Sequence, residues 1–552
     1  MPYVFQKKYV SVKSTGNPFF FIKNSSKLQR NKFFFVALRL WTLLFEKINL
    51  NKTMKFLLGY DIGSSSIKVS LLEAATGKTI ATATSPDSEM AMAAPKAGWA
   101  EQSPDLWWQE VVRATAKLRK AYHFYKIDVG AIGIAYQMHG LVLVDKDLQP
   151  LRPSIIWCDS RAVEIGERAF KNLGESHCLD NYLNSPANFT ASKLRWVIEN
   201  EPEIWKKTYK IMLPGDFIAL RMTGEACTTV SGLSEGVFWD FKKREIAQNL
   251  LQYYHISEDV LPKRVKTFGE QGFLTANAAM ELGLQKGTPI TYRAGDQPNN
   301  ALSLNVLHPG AIAATAGTSG VIYGITDRNE ADLKSRVNTF VHVNDSETTR
   351  RNGVLLCING TGILNSWLRR MTGGLDYDAM NAAAAKVAPN SEGVLFLPFG
   401  NGAERVLENR QLNAQLLGVQ FNRHGLGHLF RAAQEGIVFS LNYGFEIMKN
   451  VGVQANTVRA GQANLFLSPI FREAFANTTG ATIELYNTDG ATGAARGAGI
   501  GIGFYKNFQE AFVGLKKLKT IEPTVHLQKV YQEGYQHWLL QTHRYIGDIT
   551  HS

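Results

Sequence analysis

The sequence predicts an α/β protein made of two similar domains that face one another. Three observations predict it. At 552 residues the chain is too long for a single hydrophobic core. Short apolar runs of strand type are interleaved with stretches of helical periodicity, the pattern of sheets flanked by helices. One piece of grammar occurs twice: an apolar strand, a turn of Gly, Ser and Thr, then a second strand, at residues 56–72 and again at 311–325.

Composition narrows the partners. Apolar residues make up 45% of the chain and aromatics 11%, an ordinary globular make-up. The net charge of +12 suggests nucleic acid until it is located. Residues 1–53 hold ten Lys/Arg against one acid, Glu46, so +9 lies there and only +3 is spread over the rest. A basic stripe over the globular part is therefore not expected, and nucleic acid is not an expected partner. The apolar stretch Phe33 to Phe45 is broken by Arg39 and is too short to span a bilayer, so no membrane partner is expected either. The segment is loosely like a transit peptide but lacks a small-residue cleavage site. We expect the native protein to begin at Met54, with residues 1–53 disordered or not part of it. Cys158, Cys178, Cys227 and Cys357 contain no C-x-x-C pair. That argues against zinc and disulfide frameworks and for a reducing cytoplasm.

Phe56 to Tyr60 is an apolar run ending in Asp61. Gly63, Ser64, Ser65 and Ser66 follow, and then Ile67, Val69 and Leu71 alternate with Lys68 and Ser70. This is a hairpin. Its turn has little side-chain bulk, so successive backbone N–H groups can form a nest for phosphate. Asp61, where the strand ends, is placed to hold Mg2+ through water. Thr76-Gly77 turns the chain into a third strand, Lys78 to Thr84, completing a meander. Ser103-Pro104 opens a helix as N-cap and first-turn proline. Trp107, Val111, Ala114, Leu118, Tyr122 and Tyr125 give that helix one apolar face. Ala131 to Tyr136 is a buried-type strand that delivers Gln137, Met138, His139 and Gly140. Residues 155–161 repeat the design and end in Asp159, Ser160 and Arg161. Polar residues directly after a buried strand sit where ligands bind in α/β sheets. The ordinary alternatives are a core histidine and a solvated loop aspartate.

Residues 160–290 read mostly as helix. Pro289 to Ala294 is strand-like and delivers Gly295, Asp296 and Gln297 into a helix through Ala301, Leu302 and Leu304. A helix-terminal carboxylate favoured by the dipole is the plain reading of Asp296. Ala311 to Ala316, the turn Gly317-Thr318-Ser319-Gly320, and Val321 to Ile325 form the echo of the first hairpin. A nucleotide's phosphates could be clasped between the two turns. Residues 360–371 and 429–449 read as helices. Residues 458–464 read as a strand running into a tight loop. Asp489 to Gly499 opens a helix of small residues that something approaches closely, suited to adenine and its ribose or to tight helix packing.

With these pieces in order, the chain resembles the FGGY carbohydrate kinases from Met54 to about Arg544. The resemblance rests on GYDIGSSSIKVSLL (59–72), GWAEQSP (98–104), QMHG (137–140), LRPSIIWCDSR (151–161), LPGDF and LRMTGE (213–225), AGDQPNNA (294–301) and ATAGTSGV (314–321). It implies two actin-like (ribonuclease H-like) domains, each a mixed β-sheet flanked by helices, with the active site in the interdomain cleft. Residues 54–304 would carry the sugar and the catalytic base, and residues 305–552 the nucleotide. Residue by residue, it implies Asp61 at magnesium and Gly63, Ser64, Ser65 and Lys68 at the first phosphate site. It implies Gly317, Thr318 and Ser319 at the second phosphate site and Gly461, Gln462 and Asn464 at the adenine. Gln137, Met138, His139 and Asp159 would contact the sugar, with Asp296 as catalytic base. The implied cofactors are ATP and Mg2+, the implied partner is a small-molecule sugar, and a homodimer is the assembly to test.

QMHG together with WCDSR favours D-xylulose, phosphorylated to D-xylulose 5-phosphate in pentose breakdown, over glycerol. Ribulose, fuculose and gluconate are the other acceptors of the family. A non-catalytic nucleotide-dependent sensor on the same scaffold is the alternative outside enzymes. The chain departs from the family in three places. Arg293-Ala294-Gly295-Asp296-Gln297 replaces Gly-Gly-Gly-Asp-Asn around the base. Arg459 to Asn464 replaces the Gly-rich adenine loop. Gly402-Ala403-Glu404-Arg405-Val406 replaces Gly-Glu-Arg-Thr-Pro.

Overall fold

Strand β1, Phe56–Ile62, is covered on both faces. Phe56, Leu58, Tyr60 and Ile62 join a core with Trp107, Val111, Ala114 and Leu118 of helix α1, Pro104–Ala121. The alternate positions Leu57, Gly59 and Asp61 face the other way, where Leu57 packs with Ala495 and Ala498. Asp61 therefore lies one residue inside the strand rather than at its end. These coordinates come from a computed structural model that describes residues 54–550, so the expectations about residues 1–53 fall outside the described residues.

Strands β2, Ile67–Glu73, and β3, Thr79–Ser85, continue β1 as the expected antiparallel meander. Strands β4, Val129–Tyr136, and β5, Ile290–Gly295, add in parallel on the other edge, giving the order β5-β4-β1-β2-β3. Counting only main-sheet strands, the second sheet holds β6, Gly310–Ala316; β7, Gly320–Thr326; β8, Asn338–Val341; and β9, Asn352–Ile358. It continues with β10, Ala455–Gly461; β11, Thr482–Tyr486; and β12, Lys517–Ile521. Its order is β8-β9-β7-β6-β10-β11-β12. Without the edge strands β8 and β12 this is β11-β10-β6-β7-β9, an antiparallel meander with two parallel strands added at β6. The repeated grammar of the sequence is thus a repeated sheet.

The helices that matter for the site are α2, Thr190–Asn200; α3, Asp296–Ser303; α4, Gly362–Met371; α5, Leu426–Asn450; and α6, Gly490–Gly501. Helix α5 runs through the core of the second sheet with Phe430, Ala433, Ile437, Val438 and Phe445. Helices α3 and α6 follow equivalent strands, β5 and β11, and pack on each other. A Cβ on Gly493 would stand 2.5 Å from the Ser303 Cβ, and Asn299 Nδ2 donates to the Gly490 carbonyl at 2.8 Å. Helix α6 also lies directly on the first sheet. A Cβ on Gly59 would stand 1.9 Å from the Ala491 carbonyl oxygen, and one on Gly133 would stand 2.0 Å from that of Ala494. What approaches the small residues after Asp489 is therefore sheet backbone, and the adenine-and-ribose reading of that stretch gives way to packing.

Two local expectations are also corrected. Ser103 is the N-cap of α1 but its side chain caps nothing. The helix ends at Ala121, because Tyr122 is already extended. Tyr122 and Tyr125 thus leave the apolar face, at 39% and 67% exposed. Among the described residues, no helix is long and apolar enough to cross a membrane.

Candidate active site

The two repeated turns share one design. In the first, Gln102 Nε2 donates to the Ser64 carbonyl at 2.7 Å, and Met90 N–H donates to that of Ser65 at 2.8 Å. In the second, the first turn of α4 does this work, with Gly362 N–H on the Gly317 carbonyl at 2.9 Å and Ile363 N–H on that of Thr318 at 3.1 Å. The approach is close enough that a Cβ on Gly362 would meet the Gly317 oxygen at 2.1 Å. Carbonyls are drawn back in both turns. Among the described residues, no backbone acceptor takes the N–H of Ser64, Ser65, Thr318 or Ser319, which leaves the donors of an anion nest.

Three carboxylates gather beside the first turn. Asp61 faces α6 through the parity of β1, and Gly490 leaves room for it, since a Cβ there would stand 2.2 Å from Asp61 Oδ2. Asp489 caps α6 by accepting the Thr492 N–H at 2.8 Å and pairs with Lys68 at 3.4 Å. Asp296 is the first residue of α3. Burial, reinforced by the Asp489 charge and opposed by Lys68, pushes the Asp61 carboxyl up to about 6. Burial, reinforced by Asp61 and opposed by the Gln297 N–H, pushes Asp296 up to about 7. An excess of carboxylate over ammonium, all oxygen donors, fits a hard divalent cation. The sequence reading did not foresee Asp489. The signal was present: Asp489-Gly490 opens α6 after β11 much as Asp296 opens α3 after β5.

His139 is held at four points. Its backbone is left-handed, at φ 60°, a strained choice for a residue with a Cβ. Its N–H donates to Glu235 Oε1 at 3.4 Å. Its carbonyl accepts from Lys193 Nζ of α2 at 2.9 Å. Its Nδ1 meets the Glu235 carbonyl at 2.9 Å; since that oxygen can only accept, Nδ1 carries the proton and Nε2 is an acceptor. Phe189 packs edge-on against the ring, with centroids 4.9 Å apart. Burial, the Lys193 charge and the Arg405 charge lower its pKa to about 3, against the opposing Glu235 carbonyl bond, so the imidazole is neutral. Lys193 also donates to the Ile156 carbonyl at 2.9 Å, tying residues 137–140 to residues 155–161. Burial lowers the Lys193 ammonium to about 8, against the pull of Asp159.

A cavity of about 250 Å³ brings Gln137, Met138, His139, Asp296 and Ser319 together. Trp157, Asn188, Phe189, Gln297, Asn338, Cys357 and Arg405 also line it. Of these, the sequence points to Trp157, Gln297, Cys357 and Arg405, none as a sugar contact. The amide oxygens of Gln137, Asn188 and Gln297 are buried without a partner. With Asp296 and His139 Nε2 they make a wall of acceptors, which suits a ligand dense in hydroxyl groups.

Asp159 does not line this cavity. Nor is it solvated: it is fully buried. Its Oδ2 accepts from Arg161 Nη2 at 2.7 Å and from the Ala100 N–H at 2.6 Å. Arg161 in turn stacks on Trp99 at 3.8 Å. Asp159 thus builds the loop that presents Trp157. Arg293, the departure before the base, is buried and ion-paired to Asp216 at 3.0 Å. Gly461, Gln462 and Asn464 lie at the end of β10, and the Asn464 amide nitrogen is 3.5 Å from where a Gly317 Cβ would be. A second, largely apolar cavity of about 540 Å³ is lined by Gly360 and by Ile363 and Trp367 of α4. The four cysteines are all free.

Comparison with known proteins points to one family. Residues 56–303 match the N-terminal domain of the FGGY family of carbohydrate kinases, and residues 312–501 match its C-terminal domain. The xylulose kinase of Escherichia coli (strain K12) is 30% identical over 443 residues, 80% of this chain and 88% of that protein. The xylulose kinase of Bacillus subtilis (strain 168) is 30% identical over 464 residues, 83% of this chain and 90% of that protein. A solved structure described as a "xyloylose kinase" from Brucella ovis superposes with a TM-score of 0.79 at 25% identity, covering 88% of this chain and 98% of that one.

Proposed function

The chain belongs to the FGGY family of carbohydrate kinases, and from that premise we propose that it transfers the γ-phosphoryl group of ATP to the terminal hydroxyl of D-xylulose, giving D-xylulose 5-phosphate and ADP. The observation that carries this reading is the cavity itself. A carboxylate with raised proton affinity stands in an acceptor-rich wall, next to Ser319 of an N–H-lined turn. The choice of D-xylulose is supported by relatives of that name at 30% identity.

In the proposed reaction, the C5 oxygen forms its bond to phosphorus while the bond from phosphorus to the β-phosphate oxygen breaks. Asp296 accepts the hydroxyl proton. Such a transfer depends on positioning and charge neutralisation more than on covalent help. The free N–H groups of Ser64, Ser65, Thr318 and Ser319 receive phosphate oxygens, and the loop Gly461–Asn464 receives the base. Asp61, with Asp489 behind it, would hold Mg2+, which supplies further neutralisation of the phosphates when bound. Residues 54–304 carry the sugar side and residues 305–552 the nucleotide side. The reaction is placed in the cytoplasm, consistent with four unpaired cysteines.

A coupled ADP-release assay over D-xylulose, ribulose, fuculose, gluconate and glycerol, with protein starting at Met54, tests the reading. D-xylulose is expected to give the highest kcat/KM. Another preferred acceptor would overturn the sugar, and ATP turnover unmoved by every acceptor would favour the non-catalytic sensor.

A further inference from the structure

Arg405 is a cation without an anion. Among the described residues it makes no ion pair; its one hydrogen bond is a long one, Nη1 to the Ser335 carbonyl at 3.4 Å. Its neighbour Glu404 turns away from the cavity and is fully engaged by the N–H groups of Asn359 and Gly360 at 3.0 and 3.1 Å. The guanidinium instead lines the cavity and lies 5.6 Å from the centroid of Phe189, the ring that packs on His139. That places it beside Phe189 and His139. Asp296 and Gln297 line the same cavity.

The lining sets acceptors beside a cationic donor. Asp296, His139 Nε2 and the unpartnered amide oxygens can only accept, so each calls for a hydroxyl. Arg405 can only donate, so it calls for an oxygen that need not donate. A 2-ketose has one oxygen that accepts and never donates, its carbonyl. We propose that Arg405 binds the carbonyl oxygen of the acceptor and so selects ketoses over the corresponding alditols. This rests on the sugar-kinase reading above and adds to it the group that chooses among acceptors.

The test compares the wild-type protein, Arg405→Met and Arg405→Lys on D-xylulose and on xylitol and D-arabitol, the two alditols made by reducing that carbonyl. ADP release is followed at saturating Mg·ATP, and a thermal melt confirms folding. Losing a charge-assisted hydrogen bond to the carbonyl is expected to lower kcat/KM on D-xylulose about tenfold or more in Arg405→Met. The alditols lose little, so the ketose-to-alditol ratio collapses, and Arg405→Lys restores part of it. Equal losses on ketose and alditols, or none on the ketose, would overturn the proposal while leaving the kinase reading intact. A wild-type protein that phosphorylates no ketose would overturn both. If Arg405→Met fails to fold, Arg405→Lys alone decides: an unchanged ratio with a lower rate on both acceptors refutes carbonyl recognition, and a selective loss on the ketose supports it.

Discussion

Replacing Asp296 by Asn should lower kcat by about 10²–10⁴, the span expected for loss of a general base, while D-xylulose still binds in a direct titration. Near-normal turnover would remove Asp296 from its role. The same residue predicts the pH profile. Only the ionised carboxylate can accept a proton, and its pKa is held at about 7. Activity should therefore rise with pH along an acid limb lying above the ordinary carboxylate value of 3.8 and no higher than about 7, because Mg2+ at Asp61 would offset a charge that raises the Asp296 carboxyl; a limb at 3.8 would contradict the burial argument. Stability runs the opposite way. A carboxyl that binds its proton more tightly folded than unfolded stabilises fully below 3.8 and loses that contribution as pH rises through about 7. The ligand-free melting temperature should fall across that window, and less so in the Asn variant. Lys193 makes a separate prediction. Because it holds the His139 and Ile156 carbonyls, Lys193→Met should raise KM for the sugar about tenfold and leave kcat and KM for Mg·ATP nearly unchanged. A uniform loss would mean that it only supports the fold. Sequence reasoning could reach Asp296 and His139 because each follows a strand in a recognisable motif. It could not reach Lys193, Asn188 or Asn338, nor assign Arg405 a place at the sugar, because their positions depend on which loops fold back over the strand ends.

At the scale of elements, helix α6 separates two consequences of adding a methyl group. A Cβ at Gly133 would press on the Ala494 carbonyl, which is backbone and cannot turn aside. Gly133→Ala is thus expected to cost about 1–3 kcal/mol, as overpacked cores do, read as a lower melting temperature. A Cβ at Gly490 would press only on the Asp61 carboxylate, the end of a movable side chain. Gly490→Ala should leave the melt nearly unchanged and raise KM for Mg·ATP. If both variants simply unfold the protein, Gly490 is a packing residue like the rest of α6. The hairpins β1–β2 and β6–β7 were legible because period-two alternation and a glycine turn are local signals. The partner of α6 was not, because its small residues record a close approach without saying what approaches. The answer, β1 and β4, lies more than three hundred residues away in the chain.

At the scale of the whole molecule, the two helices that open with Asp296 and just after Asp489 lie back to back between two copies of one sheet. Each anion nest belongs to a different copy, and both halves of the chain line the acceptor cavity, the first through His139 and Asp296 and the second through Ser319 and Arg405. A ligand that touches both sides is stabilised most when the sides are closest, and closure also removes water, which competes with the sugar for the phosphoryl group. The α3–α6 contact is close, with a Cβ on Gly493 only 2.5 Å from the Ser303 Cβ, which leaves little room for such a motion. Residues 137–140 are already tied through His139 and packed at Gly140, whereas Gly402 stands open, with nothing within 4 Å of a Cβ there. Hydrogen exchange should therefore show α6 protected with or without ligands. Residues 402–408 should slow when D-xylulose and a non-hydrolysable ATP analogue are present together, and less with either alone. Full protection of that loop in the ligand-free protein would mean that the cavity is preformed. Closure would then contribute nothing to excluding water.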